Sequence, residues 1–442
     1  MSKNPTTTST TPSEPAGLAP AAPDPRRWLM LAVATLGFAV NFWVWALLSP
    51  LGPRFKDGLG LTALQQALLV AVPVIVGSLG RIPVGALTDR FGGRLMMPIV
   101  SSAAILPVLF IGFLGHDSLT ALLIGGFFLG IGGTSFAVGV PFVSAWFPPA
   151  QRGTAIGIFG AGMGGTAISA LTTVKLVKAH GIQTPFLTTA IVLAGYAVLA
   201  AVVMRDAPGR VAPTQPLAQR LGATLRLPLT WQAAALYALA FGGYVAFSVY
   251  LPTYLKTGYS LAPDDAANRM AGFVLLAVVM RPAGGWLSDR IGSVRVITGA
   301  LTVVVAGAAV QAFSPDLAPL GTIAFLAMAA ALGAASGAVF ALVAERAPAG
   351  TVGAVTGVVG AAGGLGGFVP PLLLGVLYGQ YGSYGAGLAL LSAVALAGAV
   401  FTVRVVRRPA VGSPTAHPAG ARSGPVRARV PYARRRSPGA RQ

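Results

Sequence analysis

The stretch RIPVGALTDRFG, Arg81 to Gly92, returns 200 residues later as RPAGGWLSDRIG, Arg281 to Gly292. Each copy begins with an arginine in an otherwise apolar run and ends in Asp-Arg-x-Gly, with Gly85 over Gly285 and Leu87 over Leu287. A second block repeats at the same offset: GTAIGIFGAGMGG, Gly153 to Gly165, lies over GAVTGVVGAAGGL, Gly353 to Leu365. Two independent blocks at one offset indicate a tandem duplication. In membrane proteins built this way, sites form between the repeats near the bilayer midplane.

The composition supplies the membrane. Of 442 residues, 55% are hydrophobic and 10% are charged, with mean hydropathy +0.74. A soluble chain carries roughly 25% charged residues. Many apolar runs approach the roughly 20 residues that a helix needs to cross a bilayer. Twelve such runs predict an all-α polytopic protein of two six-helix pseudo-symmetric bundles, at 28–204 and 231–404, joined by a linker at 205–230. Residues 1–27 and 405–442 read as disordered tails.

Basic residues concentrate on the cytoplasmic side. Of the 31 Lys and Arg residues, the tails and even-numbered loops hold 23 and the odd-numbered loops six, with two inside spans. Both termini are therefore expected in the cytoplasm, with the chain in the cell's inner (plasma) membrane. Ten arginines and no acid between Arg404 and Gln442 suit the anionic lipids of the inner leaflet better than nucleic acid. The chain contains no cysteine, and its three histidines fall in connections or the tail. No metal or cofactor is expected. An enzyme is disfavoured because the spans lack nucleophiles, acids and metal ligands.

None of the eleven acidic residues lies deep in a span, which leaves Arg81 and Arg281 as the buried formal charges. Arg81 precedes Asp89 by eight residues, about 12 Å along a helix. One central arginine costs roughly 2.5 to 3.5 kcal/mol on insertion scales. A snorkelling arginine would explain either alone, but the repetition indicates use. Two guanidinium groups about 8 Å apart repel by roughly 2 kcal/mol at an effective dielectric near 20. With no carboxylate nearby, a small anionic substrate is the expected counter-ion. The planar guanidinium fork suits a planar oxyanion.

Glycines recur at three- and four-residue spacing at Gly153, Gly157, Gly160 and Gly164, and again from Gly353 to Gly367. Such faces serve close helix packing; they also bring backbone near a substrate, with Gly164, Gly165 and Gly364 as candidates. Asn41 on the first helix is a further polar candidate, for substrate or for packing.

GALTDRFGGR and its echo GWLSDRIGSVR resemble the loop motif after the second and eighth helices of the major facilitator superfamily. Within it, GIFGAGMGG, GAAGGLGGFVPP, FAVNFWVWALLSPLGPRF and GGYVAFSVYLPTYLKT, with the two membrane arginines, resemble the nitrate/nitrite porter family. The resemblance implies that Arg81 and Arg281 bind nitrate while aromatic residues of helices 4 and 7, here Phe136, Tyr244 and Phe247, sandwich it. It also implies a cytoplasmic gate at Asp89, Arg90, Arg94, Asp289, Arg290 and Arg295. One departure stands out: many members carry an asparagine in the helix 5 motif, where this chain offers glycines, Thr166 and Ser169. With no acid or histidine in the spans, exchange of nitrate for nitrite is the expected coupling and proton symport the alternative. A monomer is expected.

Overall fold

The computed structural model describes residues 24–208, 210, 217–348 and 352–406. Most of both expected tails, and part of the linker, lie outside the described residues. Twelve helices there are long and apolar enough to span a membrane: α1 (Arg26–Leu59), α2 (Ala63–Phe91), α3 (Gly93–Gly115), α4 (Leu119–Trp146), α5 (Ala155–His180), α6 (Gln183–Val203), α7 (Pro228–Tyr259), α8 (Pro263–Ile291), α9 (Ser293–Ala312), α10 (Leu317–Arg346), α11 (Ala354–Tyr381) and α12 (Gly385–Val406). No strand occurs among the described residues. The protein is an all-α, multi-pass membrane protein.

The first helix runs on to Leu59, because Leu48, Leu51 and Phe55 give its Leu48–Leu59 portion an apolar side that buries. The linker contains the short helix Leu217–Leu225, and Pro228 then opens α7 at its first turn, where a missing N–H costs nothing.

Even span numbers bring both described termini and both Asp-Arg-x-Gly turns to one end, the tail end. In those turns Gly92 and Gly292 each have φ of 89°, a conformation open to glycine and strained for other residues. The duplication is visible in packing as well. A Cβ at Gly133 would stand 2.9 Å from the Cα of Gly77, and one at Gly333 would stand 2.9 Å from the Cα of Ala277. The α4–α2 and α10–α8 crossings are thus the same close contact, repeated at the offset read in the sequence.

The two halves meet firmly at the opposite, far end. There Ser49 donates to the carbonyls of Val249 at 2.7 Å and Ser248 at 3.1 Å, and Gln66 donates to Thr253 at 3.0 Å. Two ion pairs cross the same seam, Asp57 with Lys256 and Lys178 with Asp264. Towards the tail end, Gly157, Gly285 and Gly357 have nothing within 4 Å of where a Cβ would stand. Among the described residues the seam is closed at the far end.

Candidate anion-binding site

Around the site, the departures from helical regularity fall at glycines. The α2 helix breaks at Gly80, one residue before Arg81, and α4 tightens to a 3₁₀ turn over Gly130–Thr134. The α5 helix does so at its own glycine motif, Ala161–Gly164. Such turns loosen the i to i−4 ladder and free carbonyls. Arg81 uses one of them: Nε donates to the Gly133 carbonyl at 3.4 Å, while Nη1 donates to the Gly360 carbonyl of α11 at 2.7 Å. Arg81 is 8% exposed, so these carbonyls, one from each half, are what permit a charge at this depth.

Arg281 is partly buried and has softer company. Its Nη2 donates to the Tyr237 hydroxyl at 2.7 Å and its Nη1 points at the Met163 sulfur of α5, a weak acceptor. Neither arginine forms an ion pair among the described residues.

Aromatic faces join the two arginines. The Phe241 ring lies 6.0 Å from the Arg81 guanidinium carbon and 5.5 Å from that of Arg281. The two charges are therefore no further apart than those distances combined. At about 10 Å and an effective dielectric near 20, their repulsion is roughly 1.7 kcal/mol. Phe136 lies 5.1 Å under Arg81, and Tyr237 and Phe340 lie 5.8 and 5.6 Å from Arg281. Each desolvated cation–π contact offsets part of that repulsion, by about 0.5 to 2 kcal/mol.

Tyr237, Phe241 and Tyr244 form one stripe of α7 at spacings of four and three. Tyr237 stacks on Phe241 with centroids 4.9 Å apart and planes 1° apart, and Phe241 stacks on Tyr244 at 5.7 Å. The Tyr244 hydroxyl reaches Thr166 of α5 at 3.2 Å. On α5, Gly157, Gly160 and Gly164 have nothing within 4 Å of where a Cβ would stand. Two forked cations, flat aromatic walls and hydroxyls beside a bare glycine face suit binding of a small planar anion.

The residues expected from sequence divide. Arg81, Arg281 and Phe136 come together, and Tyr244 reaches the site through Phe241. Phe247 packs instead on Phe273 and Phe325, at 5.4 and 6.0 Å. Asn41 is fully buried and donates to the Gly37 carbonyl and to Ser101 of α3, both at 2.8 Å. Gly164 faces open space, Gly165 lies against the α1 backbone and Gly364 lies against Ser78. The described contacts of Arg90, Arg94, Arg290 and Arg295 stay within their own half or its linker. Arg90 covers Phe91, Arg290 covers Trp286 at 4.0 Å, Arg295 donates to the Ile291 carbonyl, and the Arg94 amide donates to Asp206. Arg210 donates to the backbone carbonyl of Asp89 at 2.7 Å. Asp289 is exposed at the tail end.

Tyr237, Phe241, Phe340 and Met163 were not picked out from sequence. A depth count finds the first two. Arg281 lies ten residues from the tail end of α8 at Ile291, and Tyr237 and Phe241 lie nine and thirteen from the tail end of α7 at Pro228. Met163 gave no such signal.

Twelve spans in two repeats with cations at mid-depth define a membrane transporter. The family model of the Major Facilitator Superfamily matches residues 34–369 and 234–438. The chain is 48% identical over 385 residues to the probable nitrate/nitrite transporter NarK2 of Mycobacterium tuberculosis (strain ATCC 25618 / H37Rv), covering 86% of this chain and 96% of that one. It is 36% identical over 292 residues to the nitrite extrusion protein of Bacillus subtilis (strain 168), covering 66% and 73%. Among solved structures, a bacterial homolog of the human lysosomal transporter Spinster, inward-facing and occupied, aligns with TM-score 0.67 at 18% identity over 86% of this chain and 97% of that one. The chain belongs to the major facilitator superfamily, and within it to the nitrate/nitrite porter family.

Proposed function

We propose that the protein carries nitrate and nitrite across the membrane, exchanging one for the other by alternating access, with Arg81 and Arg281 holding the anion between the halves. The observation that carries this reading is the shared ring: two buried or half-buried guanidinium groups lie within 6.0 Å of Phe241 and are satisfied by carbonyls, a hydroxyl and a thioether. The names of the relatives supply the anion. A flat anion between the arginines would gain two charge-assisted forks, each roughly twice as strong as a neutral hydrogen bond. It would also remove the repulsion between them.

With the tail end in the cytoplasm, as the charge bias indicates, this arrangement is the inward-facing one. Asp89, Arg90, Arg94, Asp289, Arg290 and Arg295 then belong to a gate that closes when the far end opens. Neutralising Asp89 should favour the inward-facing state; unchanged accessibility on both sides would remove these residues from the gate.

Exchange follows from electrostatics. Reorienting without an anion carries two like charges through the closed state, whereas a bound anion compensates them. The test is nitrate entry into proteoliposomes that are empty or loaded with nitrite, with and without a pH gradient. Entry that depends on internal nitrite and ignores the gradient supports exchange; equal entry into empty vesicles rejects it. Dependence on the gradient would favour proton symport.

A further inference from the structure

Ser78 stands three residues before Arg81, so both lie on the face of α2 turned to α11. Its side chain is 1% exposed, and its Oγ has no hydrogen-bond partner among the described residues. That is unusual within this molecule. Helical Thr88, Ser144, Ser288 and Ser336 each bond the carbonyl four residues back, and Ser78 does not. The position 200 residues on is Val278, so the hydroxyl is not a feature that the two repeats share. A hydroxyl buried without a partner is costly and calls for an acceptor.

Its surroundings indicate which acceptor. Ser78 lies against Gly364, where a Cβ would stand 2.1 Å from Oγ. One turn of α11 nearer the tail end is Gly360, whose carbonyl takes the hydrogen bond of Arg81. The hydroxyl is thus about one helical pitch, roughly 5 Å, from the Arg81 contact and on its far-end side. A group of two or three oxygens spans such a gap with a hydrogen bond at each side. The Ser78–Gly364 contact also belongs to the seam between the halves, so parting the far end uncovers the hydroxyl directly above Arg81.

Resting on the transport reading above, we propose that Ser78 is a specificity-determining donor for the anion in the outward-facing state, receiving it from the far end alongside Arg81. It would supply from α2 a hydrogen bond where the α5 motif has no asparagine.

The experiment uses the full chain with Ser78→Ala or Ser78→Val in proteoliposomes of known orientation. Nitrate KM is measured from the far-end side and nitrite KM from the tail-end side. Loss of one charge-assisted donor should raise the far-end nitrate KM about tenfold. The maximal exchange rate and the tail-end nitrite KM should stay within about twofold, the pattern of a lost binding contact rather than a damaged fold. A far-end KM within about twofold of the parent overturns the proposal, as does an equal rise on both sides or a fall in rate alone. If the parent shows no nitrite-dependent nitrate entry, the transport reading falls first and takes this one with it. If the parent exchanges and the variants match it, the role of Ser78 alone falls.

Discussion

Ser49 donates its hydroxyl hydrogen bond to the carbonyl of Val249 at 2.7 Å, so a residue of the first repeat touches its own counterpart in the second, 200 positions on. Two equivalent points can meet only on the axis that relates them. Helices α1 and α7 therefore cross on the pseudo-twofold axis at the far end, and Asp57 with Lys256, 199 positions apart, continues the contact outward. Opening the far end tilts the halves apart about a line in the membrane plane, so the contacts at this end, on the pseudo-twofold axis as well as beside it, must break.

That geometry predicts a modest latch. Lys256 and Asp57 are 25% and 65% exposed, and pairs so exposed contribute about 0.2 to 1 kcal/mol. Lys256→Ala should raise far-end accessibility about two- to fivefold. The chain has no cysteine, so a single Val70→Cys reporter beside Gly52 measures this with an impermeant thiol reagent. High salt should produce part of the same increase, and a rate unchanged by either treatment would remove the latch.

The arginines should not be replaceable by lysine. Lysine keeps the charge and loses the planar fork that serves Gly133 and Gly360 in one case and Tyr237 in the other. Arg81→Lys and Arg281→Lys should each weaken nitrate binding about tenfold or more, read as Kd or KM. Normal transport by both variants would end the clamp model.

Phe241 should matter where Phe247 does not. Phe241→Leu removes the ring shared by both guanidinium groups, worth about 0.5 to 2 kcal/mol at each desolvated contact. A several-fold rise in nitrate KM is expected. Phe247→Leu changes packing on Phe273 and Phe325 and should leave KM within about twofold.

Glycines of the two kinds separate by stability. A Cβ at Gly337 would stand 2.0 Å from the Arg281 carbonyl, whereas one at Gly157 would meet nothing within 4 Å. Gly337→Ala should destabilise by about 1 to 3 kcal/mol, as overpacked sites do, and lower the thermal transition. Gly157→Ala should leave that transition unchanged and report on transport instead.

The sequence made the spans, the repeat and the paired arginines legible because each leaves a periodic or compositional mark. Length and apolarity mark a helix in lipid; identity at a fixed offset marks a duplication. Two arginines at equivalent depth with no acid beside them mark a shared task. The aromatic partners were harder to read, since α7 is buried along most of its length and an aromatic residue there looks alike whether it faces Arg281 or Phe325. Tyr244 and Phe247 stood out by resemblance, while Tyr237 and Phe241 required matching depth across two helices. The partners of Arg81 were invisible for a different reason. Gly133 and Gly360 act through backbone oxygens, which no side-chain pattern encodes.

Those carbonyl partners also bear on how the site tolerates change. A carboxylate paired with Arg81 would hold it strongly enough to compete with any anion, and a single substitution could remove it. A peptide oxygen is a fixed feature of the chain, present whatever side chain it carries, and its dipole yields readily to a full negative charge. The resting guanidinium is thereby kept in place by contacts that substitution cannot delete and that an arriving anion can displace.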